Sequence, residues 1–199
     1  MKVTLTSLAF AGCLLLSSCG ETPTTAVDET IDEAKKATET VVEETKSMRP
    51  EVGMAMMSPL GDRPMKGSVT FTEVNGKVTM TADLRGLVQG EHAIHIHDIG
   101  DCSSADGKSA GGHWNPTGED HGKWGKKPFH RGDIGNLKAD KNGTAKMSLS
   151  TELWCVGCDD PKKNVLGHAI IIHEGIDDCT SQPSGAAGSR IACGVIEKM

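Results

Sequence analysis

The sequence predicts an all-β domain of about eight short antiparallel strands, arranged as a sandwich or a barrel. Three observations predict it. Apolar residues alternate over short runs, Gly, Asn and Asp punctuate those runs, and no long helical period is present. In chain order, a first strand falls near residues 53–57. Val69-x-Phe71 then leads through Val74-Asn75-Gly76-Lys77 into Val78-x-Met80-x-Ala82-x-Leu84. Asn-Gly between alternating apolar runs is a strong hairpin signal. A strand over 93–97 follows. A second hairpin runs from 134–137 through Asp140-Lys141-Asn142-Gly143 to Ala145-x-Met147-x-Leu149. Two further strands lie near 169–173 and 191–196. Two long loops break this spacing, over 98–132 and about 174–189. A loop as long as the first is normally functional in a compact domain, and it holds His113, His121 and His130.

The ends of the chain divide it into three parts. In residues 1–18, Lys2 precedes an apolar run that is too short to span a bilayer as a mature helix and fits an export signal. Leu16-Ser17-Ser18-Cys19 resembles a bacterial lipobox, which implies cleavage before Cys19 and acylation of its thiol; an ordinary export signal containing a cysteine is the alternative. Residues 19–50 are rich in Thr, Glu, Lys and Ala, with no aromatic residue, and read as a flexible acidic tether. Residues 51–199 are long enough for one core. Loss of Lys2 with the signal takes the net charge from −6 to −7, and eight acids against four bases place −4 of this in the tether. The domain therefore carries −3, which gives no support for nucleic-acid binding. An exported chain tolerates disulfides. The domain holds Cys102, Cys155, Cys158, Cys179 and Cys193, an odd number, so at least one is free or pairs with another chain.

Six of the chain's eight histidines, with one aspartate, form the pattern His95-x-His97, His113, His121, His130, Asp133, His173. On the strand, Ile94 and Ile96 face a core while His95 and His97 share the opposite face, where one metal could take both. His173 closes the apolar run Ala169-Ile170-Ile171-Ile172 and offers a further nitrogen. A nitrogen-rich site of this kind suits copper or zinc. The loop set of His113, His121, His130 and Asp133 supplies three nitrogens and a carboxylate, which close a tetrahedral structural zinc site. Two metals sharing one ligand would use all seven residues. Cys155-Val156-Gly157-Cys158 reads as a local disulfide or as a partner for Cys179, and Trp154 beside it reads as a packing residue. Lys123, Lys126, Lys127 and Arg131 cluster in the metal loop, either as added positive charge or as a solvated face.

The strings GEHAIHIHDIGDC, SAGGHWNP, HRGDIGNL, IIIHEG and GSRIACGVI, in that order, resemble the copper,zinc superoxide dismutases over roughly residues 50–199. The resemblance implies an eight-stranded antiparallel Greek-key barrel with two long functional loops. It implies dismutation of superoxide to O2 and H2O2 by a redox-cycling copper, linked through a histidine imidazolate to a structural zinc, with one of each metal per subunit. By position, His95, His97, His113 and His173 would bind copper, and His113, as the bridge, would share zinc with His121, His130 and Asp133. Arg190 would attract the anionic substrate over the copper. Asp177 would accept hydrogen bonds from a ligand of each metal, and Cys102 would pair with Cys193. His92 and His168 match no ligand position. Cys155-x-x-Cys158 has no counterpart in the common pattern. The implied setting is the bacterial cell envelope, with a lipid anchor on Cys19, no nucleic-acid partner, and a monomer or homodimer. The rival reading is a non-enzymatic metal-binding or envelope module on the same barrel.

Overall fold

A computed structural model describes residues 49–199; the signal and lipidation expectations, Cys19 included, and nearly all of the tether lie outside the described residues. The strands are β1 (Glu51–Pro59), β2 (Lys66–Val74), β3 (Lys77–Arg85), β4 (Gly90–His97), β5 (Gly135–Ala139), β6 (Ala145–Thr151), β7 (Ala169–His173) and β8 (Arg190–Lys198). They close into an antiparallel barrel in the order β1-β2-β3-β6-β5-β4-β7-β8. Because β3 pairs with β6 while β4 lies between β5 and β7, the chain crosses the barrel twice, as a Greek key does.

Local chemistry sets the tight turns. Asn75 (φ 51°) and Gly76 (φ 73°) both take left-handed backbone between Val74 and Lys77, the requirement of a two-residue hairpin turn. In the second hairpin, Asp140 Oδ1 accepts from the amides of Asn142 and Thr144 at 2.8 and 2.9 Å.

Alternation then builds the core. Gly53, Ala55 and Met57 of β1, Val69 and Phe71 of β2, and Val78, Met80, Ala82 and Leu84 of β3 point inward and are buried. Burying one such large side chain contributes roughly 1.5–3 kcal/mol. On β4 the expected alternation of burial is lost, and every residue from His92 to His97 is buried. Ile94 and Ile96 join the barrel core, while the outer face of the same sheet lies under the loop between β4 and β5. Ala110 from that loop packs with Ala169, Ile171 and Cys193, next to Cys102 and Leu60, in a second small core.

The first long loop extends to residue 134 and carries a short 3-10 turn at Lys108–Ala110. The second spans 174–189. A third long connection, 152–168 between β6 and β7, was not separated out by the sequence pattern. Two disulfides staple these loops. Cys102–Cys193 ties the first loop to β8, and Cys155–Cys158 closes a local ring in the third; Cys179 remains a free thiol.

Candidate metal centre

His95 and His97 project from one face of β4, and His173 ends β7 at a register shift between Ile172 and His173. The loop brings the fourth histidine. Trp114 N donates to Ile96 O at 2.8 Å, Gly132 N to Trp114 O at 3.0 Å, and Ile96 N to Gly132 O at 3.0 Å, so two loop segments pair with β4 at one point. A Cβ at residue 132 would collide with Ile96 O, which explains the glycine. His113 is thereby set against His97, with its ring centroid 4.0 Å from that of His95.

Ligand atoms of His95, His97, His113 and His173 all lie within 4.8 Å of one another. Each of these rings uses one nitrogen toward a fixed acceptor. His97 Nδ1 faces Gly111 O at 2.9 Å, His173 Nδ1 faces Gly188 O at 3.2 Å, His95 Nε2 faces Asp177 Oδ2 at 2.8 Å, and His113 Nδ1 faces Asp133 Oδ1 at 2.8 Å. The acceptors fix the tautomers. The opposite nitrogens, His95 Nδ1, His97 Nε2, His113 Nε2 and His173 Nε2, are buried with no hydrogen-bond partner. Leaving a buried acceptor unsatisfied costs roughly 1–3 kcal/mol, so four converging on one point fit a bound cation. Burial, reinforced for His97 by His113 and for His173 by His95, pushes His97 to about 2 and His173 to about 3. Burial takes His95 to about 4 against the pull of Asp177. All three rings are neutral at neutral pH, as a metal ligand must be.

The second group shares His113. Asp133 Oδ1 lies 2.8 Å from His113 Nδ1, 3.0 Å from His121 Nδ1 and 3.1 Å from His130 Nδ1. The His121 contact lacks hydrogen-bond geometry, and that nitrogen is buried with no hydrogen-bond partner. Asp133 Oδ2 accepts from His130 N at 2.7 Å and Gly122 N at 3.1 Å, which locks the carboxylate with Oδ1 turned toward the histidines. Burial pushes the Asp133 carboxyl up, but the close His113 and His121 rings and the backbone N–H groups of His130 and Gly122 win and hold it well below the carboxylate range. Three nitrogens and one oxygen fit zinc in a closed site.

Asp177 joins the two groups. Its Oδ2 accepts from His95 and its Oδ1 from His121 Nε2 at 2.9 Å. Burial opposes the charged His121 ring, but Asp133 and Asp177 together raise it to about 9. Asn136 on β5 holds Asp177 in place, accepting from Asp177 N at 2.8 Å and donating to Asp177 O at 2.9 Å. Gln182 ties the same loop to His121, accepting from His121 N and donating to His121 O, each at 2.9 Å. Gly185 packs against the Asp177 carboxylate with no room for a Cβ. Sequence reasoning missed Asn136, Gln182 and Gly185, because amides and glycines in loops carry no ligand signature.

Arg190 opens β8 beside this centre. Its Nη1 donates to Gly107 O at 2.5 Å and its Nη2 to Gly111 O at 2.6 Å, so both ends of the 3-10 turn orient the guanidinium. Arg190, His97, His113, His173, Pro183 and Gly188 line a cavity of about 210 Å³ that opens to solvent. Lys123, Lys126 and Lys127 are exposed, and Lys127 pairs with Glu119 at 2.8 Å. His92 is buried between Val88 O and His173 O, while His168 stacks on Trp114; neither joins the two groups.

The fold and the centre together define a Greek-key barrel protein with two candidate metal groups that have His113 in common. The family profile described as Copper/zinc superoxide dismutase (SODC) matches residues 65–196. Among curated proteins, the chain is 40% identical over 141 residues to "Superoxide dismutase [Cu-Zn]" of Paramecium bursaria Chlorella virus 1, covering 67% of this chain and 73% of that one. It is 38% identical over 135 residues to "Superoxide dismutase [Cu-Zn] 2" of Aquifex aeolicus, covering 65% and 78%. It is 36% identical over 141 residues to the protein of that class from Caulobacter vibrioides, covering 69% and 81%. Among solved structures, the clock protein EA4 superposes with a TM-score of 0.67 at 33% identity, over 75% of this chain and 96% of that one. The chain belongs to the copper/zinc superoxide dismutase family. Superoxide dismutation is its reaction, with copper and zinc as its metals.

Proposed function

We propose that His95, His97, His113 and His173 hold the copper, and that His113, His121, His130 and Asp133 hold the zinc. The observation that carries this reading is the placement of His113. Its Nδ1 faces Asp133 in one group, and its unpartnered Nε2 faces the other. Copper held there would supply a one-electron couple, with which one superoxide would be oxidised to O2 and a second reduced to leave as H2O2 with two protons. The chain's own residues do the rest. The neutral rings of His95, His97 and His173, each fixed by the oxygen it faces, present nitrogen lone pairs without first losing a proton. Asp177 keeps His95 and His121 oriented. The Arg190 guanidinium, pinned by Gly107 and Gly111, places a positive charge at the cavity wall, where a small anion would dock. The local cation supports capture even though the domain is net negative.

The cellular setting belongs to the same proposal. The apolar run after Lys2, the Leu16-Ser17-Ser18-Cys19 string and the acidic tether support export and lipid anchoring at Cys19, with the domain protecting the cell envelope from superoxide. Two disulfides among the described residues support an oxidising compartment. The test of function is metal content and superoxide dismutation of the purified chain beside a His113→Ala variant. One copper and one zinc per chain, with turnover lost in the variant, is the expected result. Zinc binding without copper-dependent turnover, even after copper loading, would make the chain a metal-handling module.

A further inference from the structure

Four of the five aromatic residues described form one cluster, and it leads from the barrel core to the metal loop. Phe71, fully buried on β2, meets Trp154 edge-on with centroids 5.7 Å apart. Trp154 packs on Trp124 at 4.8 Å, and Trp124 on Phe129 at 5.3 Å. Trp124 and Phe129 flank the segment that ends in His130. The Trp154 side chain is buried, and its indole N–H donates to Arg131 O at 3.0 Å. Arg131 lies inside the turn from His130 to Asp133. In that turn, Asp133 N donates to His130 O at 3.1 Å, Ile134 N donates to Gly132 O at 2.9 Å, and the indole takes the Arg131 carbonyl.

Trp154 is itself anchored. The next residue begins the Cys155–Cys158 disulfide, and Cys155 pairs both ways with the returning chain, through Cys155 N to Lys163 O at 2.8 Å and Val165 N to Cys155 O at 3.0 Å. Val156 N donates to Glu73 Oε2 of β2 at 2.7 Å. Neither cysteine belongs to either ligand group. The disulfide fixes the backbone that carries the indole, and the indole fixes the turn that carries two ligands.

We propose that Trp154 is a positioning residue for the His113, His121, His130 and Asp133 site: its indole N–H, held by the Cys155–Cys158 staple, sets the His130–Asp133 turn in the shape that zinc requires. The proposal rests on reading that group as the zinc site. Partners that orient ligands typically change metal affinity by about 10–100-fold when removed.

The test is a chelator-competition titration with zinc on the whole chain and on Trp154→Phe, which keeps an aromatic ring and removes the donor. Copper affinity is measured on the same zinc-free proteins. Zinc affinity is expected to fall by about tenfold, with copper affinity at His95, His97 and His173 unchanged. Equal zinc affinities, or an equal fall for both metals, would overturn the proposal. A native chain that binds no zinc at this group would instead overturn the underlying site reading. Should Trp154→Phe fail to fold, the native chain answers by NMR of its three indole N–H signals. The Trp154 signal is expected to shift and to exchange more slowly when zinc is added, and a signal that ignores zinc would overturn the proposal.

Discussion

Gly185→Ala isolates the contact on which both ligand groups depend. Gly185 adopts φ 64°, and a Cβ there would drive into Asp177 Oδ1 and come within 2.7 Å of His121 Nε2. Left-handed backbone alone costs an alanine roughly 1–2 kcal/mol. Ala186 next door already adopts φ 51°, so this loop tolerates that conformation. The collision adds more. Asp177 must move, which weakens its 2.8 Å bond from His95 and its 2.9 Å bond from His121, each worth about 1.5–3 kcal/mol as a bond to a charged group. A loss of about 3–5 kcal/mol in the metal-free chain follows, or roughly 6–20 °C in melting temperature for a domain of this size. Gly61→Ala is the control, with φ 74° and nothing within 4 Å, and is expected to cost only the backbone part. Thermal melts of the three metal-free proteins, followed by copper and zinc titrations, make the measurement. If Gly185→Ala melts like Gly61→Ala and binds both metals normally, the role given to the Asp177 link is wrong.

Other outcomes follow from the same geometry. The metal-free chain should be most stable near neutral pH. His95, His97 and His173 are depressed below the ordinary histidine value, so unfolding takes up protons below about pH 6.5; the unfolding free energy should fall toward pH 4 at about 1.4 kcal/mol per pH unit for each proton taken up, and urea midpoints with it. His121 is raised, so its contribution is complete below about 6.5 and should be lost as pH rises through about 9. A midpoint that stays flat between pH 4.5 and 6.5 would contradict this. Arg190→Ala should keep both metals and lose about tenfold in kcat/KM, with a weaker dependence on salt, in stopped-flow dismutation assays. Breaking Cys102–Cys193, which closes a separation of 91 residues, should cost about 4–5 kcal/mol by chain entropy, against about 2 for the three-residue Cys155–Cys158 ring; calorimetry of the two double-serine variants compares them.

Much of this architecture was legible in the sequence. Alternation placed the eight strands, and Asn75-Gly76 marked its hairpin because left-handed backbone is a property of those residue types. The residues that gather into the two candidate groups stood out by chemistry, and the resemblance of the strings around them supplied the pairing of Cys102 with Cys193. What escaped notice depends on contacts between segments distant in sequence. The burial of His95 and His97 follows from a loop folding over β4, which alternation along one strand does not encode. The Cys155–Cys158 pairing was one of two readings the sequence left open, and the structure takes the local disulfide; the connection over 152–168 lacked regular structure, so nothing marked the reach of Trp154 to Arg131. Asn136 and Gln182 act through paired amide and backbone groups, a role that many loop amides share in composition but not in place.

Anomalous diffraction from crystals of the chain loaded with copper and zinc, recorded at both metal edges, tests the central claim most directly. A copper peak among His95, His97 and His173, a zinc peak among His121, His130 and Asp133, and the His113 ring between them is the predicted result. Both metals on one side of His113, or a His113 ring that contacts one metal alone, would contradict it.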